Sequence, residues 1–259
     1  MRSSIIDTIM LSEKRRDIML LLAGESKSRG EIAESLDMNW NLLKQPVKEL
    51  KDAGLIFQDD DNYRLSNNGR LMVNALMPLL SMVNTFSYDS DYWVSRDLQA
   101  VPRFMAKRMG ELENSTLLAL SLDYMFEPLK QFIENMEPPA YLHIVLSLFD
   151  PEAPALLAEL AGKGIEISVV FEQHIYEKMN EGFGEELKKI SENKNVSFCQ
   201  LENEMRPPEI IFTDKEMAII FFNQNGKYDY RELRSSDAAA IKWGNDLFNC
   251  YKDISIFAK

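Results

Sequence analysis

The chain has 259 residues, 46% of them hydrophobic and 27% charged, with 29 Lys and Arg against 41 Asp and Glu for a net charge of −12. Such a composition excludes a disordered chain, and the length suits two domains of roughly 100 to 200 residues each. The acidity argues against general affinity for nucleic acid, which depends on Lys and Arg displacing counterions from phosphates. It is unevenly spread, however: residues 1–86 balance to −1 and residues 87–259 to −11, so any DNA contact is expected in the N-terminal third.

Charges at Glu13, Lys14, Arg15, Arg16 and Asp17 interrupt the first 30 residues, which hold neither a membrane-length apolar run nor a signal-peptide pattern. A cytoplasmic protein is expected. Cys199 and Cys250 lack CxxC spacing, so neither a disulfide framework nor a cysteine zinc site is indicated.

Ser12 is a helix N-cap, followed by Glu13 and by Ile18, Leu21 and Leu22 at helical spacing, for a helix running to about Gly24. Ser28 caps a short second helix, Arg29 to Leu36, with Ile32, Ala33 and Leu36 on its apolar face. After a break at Asp37 and Met38, a third helix runs from Asn39 through Ala53 and stops at Gly54, with Leu42, Leu43, Val47 and Leu50 toward the core. Pro46 conflicts with an uninterrupted helix. Either the helix begins near Gln45, which shifts the outer face toward Lys44, Gln45, Lys48 and Lys51, or it is kinked. Two strands, Leu55 to Gln58 and Tyr63 to Leu65, flank Asp59, Asp60, Asp61 and Asn62 and read as a hairpin. Three helices and a hairpin make a winged helix, over residues 1–66.

Such a module lays its third helix in the major groove, where amides pair with adenine edges and lysines reach phosphate or guanine. The candidate DNA-binding residues are Arg29, Asn39, Asn41, Lys44, Gln45, Lys48 and Arg64. For each alone, a solvated helix face is the plainer alternative. Asp59, Asp60 and Asp61 at the wing tip would be repelled by phosphate. The stretch SRGEIAESLDMNWNLLKQPVKELKDAGLIFQDDDNYRLSNNGR resembles the helix-turn-helix, wing and exit of archaeal winged-helix regulators over residues 12–71. The resemblance implies double-stranded DNA as a partner.

Asn67 to about Thr85 follows as one helix with Leu71, Leu76, Leu79, Leu80 and Val83 apolar and Pro78 as a kink. Residues 67–86 link the domains, and an exposed stripe there serves either a homodimer or packing on the second domain. Tyr88 to Met136 reads as mostly helical, with an aromatic-rich cluster that includes Tyr92, Trp93 and Phe104. From Pro138 strands alternate with helices: YLHIVLSLF, PALLAELAGKG, IEISVVF, EELKKISEN, VSFCQL, and then EIIFTD and MAIIFFNQ joined by a turn at Asp214 to Glu216. Residues 87–259 are therefore expected to form an α/β domain with a mainly parallel sheet covered on both faces.

The motif WVSRDLQAVP and the tail SSDAAAIKWGNDLFNCY resemble the middle or effector domain of methanogen regulators of methanogenesis and filamentation, over about residues 88–256. The layout also resembles a degenerate phospholipase D-type half, a fold that other archaeal regulators use for effector binding. Active members of that type carry HxKxxxxD. Aligned on Asp214, this chain has Pro207 and Glu209 where the histidine and lysine belong, so the resemblance does not imply phosphodiesterase chemistry. No GxSxG, Walker, GxGxxG or HExxH pattern occurs. No enzyme activity, cofactor or metal is expected. His143 reads as structural.

A DNA-binding regulator with a sensing or dimerising second domain is the leading reading, and a protein-docking scaffold built on the winged helix is the alternative. A small anionic effector is expected at the strand ends, lined by Asp150, Glu172, His174, Arg206, Arg231 and Arg234, although the arginines have many carboxylates with which to pair instead.

Overall fold

The computed structural model describes residues 4–119, 128–134, 139–202 and 205–258. The chain divides into two compact units, Met1–Leu80 and Ser81–Lys259. In the first, local capping chemistry sets each helix start. Ser4 and Asp7 form a reciprocal capping box on a short α1 (Ile5–Met10), a helix the sequence reading did not anticipate. The Ser12 hydroxyl accepts from the Arg15 N–H at the start of α2 (Glu13–Leu21). After the two-residue β1 (Lys27–Ser28), Ser28 and Glu31 make a second capping box on α3 (Arg29–Ser35).

The α4 helix (Trp40–Asp52) starts at Asn39, whose side chain accepts the Asn41 N–H at 2.8 Å, and Gly54 follows its end at φ 71°. It runs through Pro46 as one helix, so it does not begin at Gln45. Proline removes the N–H that would meet the Leu42 carbonyl. Leu42 is 56% exposed. That exposure corrects the placement of Leu42 in the core; Leu43, Val47 and Leu50 are buried as expected.

The wing pairs β2 (Ile56–Asp59) with β3 (Asn62–Leu65), Asp59 opposite Asn62, and β1 joins on the far side of β3. Asp60 takes φ 52° in the tight turn. Ile18, Met19, Ile32, Leu43, Leu50 and Leu55 are sealed at the centre of this unit.

Helix α5 (Asn67–Tyr88) passes through Pro78, and the boundary between units falls within it. Val73 and Leu76 are buried, whereas Leu71, Met72, Met77, Leu79 and Val83 are exposed. By length and apolarity alone α5 also meets the requirement for a membrane-crossing helix.

The second unit holds α6 (Ser90–Val94), α7 (Arg103–Ala106), β4 (Thr116–Ala119), α8 (Pro128–Glu134), β5 (Tyr141–Leu146), α9 (Ala153–Gly162), β6 (Glu166–Phe171), α10 (Gln173–Ser191), β7 (Val196–Leu201), β8 (Glu209–Phe212), β9 (Met217–Ile220), β10 (Arg231–Ser235), α11 (Ala238–Asp253) and β11 (Ser255–Phe257). The stretch read as mostly helical from Tyr88 to Met136 thus contains a strand, β4, while its residues 120–127 and 135–136 lie outside the described residues.

One sheet, ordered β11-β7-β6-β5-β8-β9-β10-β4, spans this unit. The α/β architecture is as expected, but the sheet is mixed rather than mainly parallel. Only β5–β6 and β6–β7 run parallel, joined by the crossover helices α9 and α10. A turn of a few residues can only reverse a strand. The turn from Thr213 to Glu216 therefore makes β8 and β9 antiparallel, and β10, β4 and β11 extend the sheet in the same sense. One face packs under α8, α9 and α10 around Phe132, Ile144, Leu146, Val169 and Phe171. The other packs under α11 and the α6–α7 segment, where the indole of Trp243 donates to the Met105 carbonyl at 3.1 Å.

Candidate nucleic-acid interface and effector region

Helix α4 buries one face and leaves Asn41, Lys44, Gln45 and Lys48 exposed at i, i+3, i+4 and i+7. That row is polar and carries two free-standing ammonium groups, the composition that suits a groove lined by phosphate and base edges. The Gln45 amide donates to Glu49 at 2.9 Å, and the Gln45 and Arg15 side chains hold the Glu49 carboxyl below the usual carboxylate range. Lys51 ties the helix end to the wing through Gln58 at 2.7 Å.

The other sequence-predicted contacts have partners within the unit. Asn39 spends its side-chain oxygen on the cap of α4. Arg29 stands 2.5 Å from Asp61 at the wing tip, both more than half exposed. Arg64 lies over the Phe57 ring at 5.3 Å on the wing.

The predicted effector residues each have neighbours of their own. His174 projects into solvent beside Glu177, and Glu172 is buried as the cap of α10, accepting the Ile175 N–H at 3.0 Å. Arg206 donates to the Gly226 carbonyl at 2.6 Å and stacks on Phe222. Arg231 is paired with Asp229 at 2.7 Å. Arg234 stands 3.1 Å from Glu232 and covers the Phe132 ring. Asp150 is 1% exposed and accepts the Glu152 N–H at 2.9 Å. The three guanidinium groups thus face acceptors of their own rather than a common anion cradle. Among the described residues no cluster of metal-ligating side chains occurs.

Sequence reasoning missed a buried polar set on the α8–α10 face. Glu209, 1% exposed, accepts the Ser147 and Leu148 N–H groups on one carboxylate oxygen at 2.7 and 2.8 Å. Burial pushes its carboxyl up to about 8. Glu232 is fully buried, and burial raises it to about 7 against the pull of Arg234. The available signal was Glu209 at the head of the apolar strand EIIF, at the very position compared with the phospholipase lysine. Arg96 was missed too. Its side chain, 1% exposed, donates to the Tyr92 and Phe221 carbonyls at 3.0 and 2.9 Å and pairs with Asp229 at 2.5 Å. That clamp joins α6 to the segment after β9 and accounts for the arginine in WVSRDL.

A winged helix carrying a polar row on its third helix, followed by a mixed-sheet α/β unit, defines a two-unit winged-helix architecture. The chain matches the models of the methanogenesis regulatory protein FilR1 middle domain at residues 125–254 and N-terminal domain at residues 4–84, and it belongs to that family. That family is one of regulatory proteins. A methanogenesis regulatory protein FilR1 of Methanothrix harundinacea (strain 6Ac) is 22% identical over 108 residues, covering 42% of this chain. The match spans about a quarter, 24%, of that relative's length. Among solved structures, the archaeal chromatin protein TrmBL2 aligns over 98% of this chain and 97% of its own at 9% identity, with a TM-score of 0.44. HlyU from Vibrio cholerae N16961 aligns over 30% of this chain and 87% of its own at 24% identity, with a TM-score of 0.27. At those scores neither likeness bears on function.

Proposed function

We propose that this chain is a cytoplasmic, DNA-binding transcriptional regulator that acts as a homodimer, its first unit reading duplex DNA and its second sensing an effector or dimerising. The exposed row Asn41, Lys44, Gln45 and Lys48 on α4 carries this reading. The near-neutral charge of residues 1–86 beside the acidic remainder supports it, because the first unit escapes the repulsion that phosphate exerts on the second. The exposed apolar residues of α5 support the dimer, since Leu71, Met77, Leu79 and Val83 need cover. Arg70, Asn74 and Asn84 along the same helix favour a protein neighbour over a bilayer. The boundary residues 67–86 are proposed as the linker between a DNA-binding domain, 1–66, and an effector domain, 87–259.

The acidic wing tip, with Arg29 neutralised by Asp61, favours the second reading, a protein-docking winged helix. Replacing Lys44 and Lys48 by Ala separates the two. If α4 lies on DNA, the double variant weakens duplex binding in anisotropy titrations and flattens the dependence of log K on log salt by about one unit per lost phosphate contact. An unchanged slope removes α4 from the interface and leaves docking on protein.

A further inference from the structure

We infer that the buried end of the central strands in the second unit binds a small aliphatic ammonium ion between Glu209 and Glu232. The register carries the geometry. Glu209 lies opposite Ile220 on β9, and the pairing of Leu233 with Ile219 sets Glu232 opposite Ile220 from the other side. The two carboxyls therefore share one row and one face of the sheet, two interstrand steps or roughly 9 to 10 Å apart at their Cα atoms. Both are sealed from solvent.

Buried polar groups almost always find partners, yet here several stand without a hydrogen bond: one oxygen of Glu209, the Tyr228 hydroxyl and the Ser147 hydroxyl, the last in a residue 2% exposed, while Glu232 meets Arg234 at 3.1 Å without a well-directed hydrogen bond. Tyr228, part-exposed, feels both carboxylates, and Asp150 faces Glu209. Among the described residues, the other charged groups that act on Glu232 are Arg234 and Glu216. A region with more carboxylates than cations repels an anion. Once the carboxyls ionise, a neutral polyol satisfies hydrogen bonds but leaves their charge uncompensated. An ammonium group supplies both N–H donors and the missing positive charge.

The inference names the ligand class for the sensing part of the proposed function, with a cation in place of the expected anion. It is read without DNA, so its failure is separable from failure of the DNA reading. The full chain is melted, and titrated by calorimetry, with ethanolamine, diaminopropane and diaminobutane, against butanediol and succinate as neutral and anionic controls. At least one amine should raise the melting temperature while the controls do not. Because pairing must expel the Glu209 proton, binding should be tighter near pH 8 than near pH 6. Glu209→Gln, which keeps an acceptor for the Ser147 and Leu148 N–H groups, and Tyr228→Phe should each weaken binding about tenfold or more. Stabilisation by none of the amines, equal stabilisation by butanediol, or undiminished binding by Glu209→Gln overturns the inference.

Discussion

Replacing Gly69 by Ala is expected to destabilise the first unit by about 3 kcal/mol, at the upper end of the usual cost of forcing an extra carbon into a packed site. A Cβ built on Gly69 lands on the Leu55 carbonyl oxygen and lies 3.3 Å from the Leu65 side chain. Neither backbone has room to yield. The Leu55 carbonyl already accepts the Ser66 N–H at 2.9 Å, and the Ser66 hydroxyl both accepts the Gly69 N–H at 2.9 Å and donates to the Gly54 carbonyl at 2.7 Å. Moving the start of α5 away therefore breaks the join between the wing and the helix that follows it. Gly24→Ala is the control, because nothing lies within 4 Å of its added carbon. Urea denaturation should show the unfolding of the first unit shifted to lower urea in Gly69→Ala alone, and equal midpoints would refute the close approach.

The second unit is expected to lose stability as pH rises from about 6.5 to 8. Glu209 and Glu232 have folded-state values raised by burial to about 8 and about 7, above the ordinary 4.5. A raised carboxyl contributes stability that is fully present below its unfolded value and lost as pH climbs through its folded one. Each group is worth about 1.4 kcal/mol per pH unit within its window. His143 opposes them lower down. Desolvation, with the Lys252 charge, lowers it from 6.5 to about 4, so its neutral form adds stability as pH rises from 4 to 6.5. The carboxyls act unopposed by it above about 6.5. A series of urea titrations should show falling stability across that window and a shallower fall in Glu209→Gln. A flat profile in the unmodified chain would mean that Glu209 is not sealed in the folded state.

Much of the first unit is legible in the sequence because its signals are local. Ser12, Ser28 and Asn39 each accept a backbone N–H at a helix start, and Gly54 and Asp60 take the positive φ that the stop and the turn require. Pro46 misleads because proline cost depends on whether the orphaned carbonyl meets solvent, which spacing alone does not reveal. In the second unit, β5, β6 and β7 are plain apolar runs, while β10 is not. Its RELRS holds a single apolar residue, Leu233, with Glu232 buried against Arg234, so its arginines read as ligand contacts rather than as strand residues. Sheet direction was equally hidden, since it follows from which strands the chain brings together. The candidate DNA row was legible from helical spacing, but the partner of Arg29 was not, because Asp61 approaches only when the wing folds.

The DNA reading is decided most directly by titrating a labelled mixed-sequence duplex with the full chain at salt concentrations from about 50 to 200 mM. Binding that is firm at the low end and falls linearly in log K against log salt, with a slope of several units, is the predicted result. No binding at about 50 mM salt, or binding indifferent to salt, would contradict it.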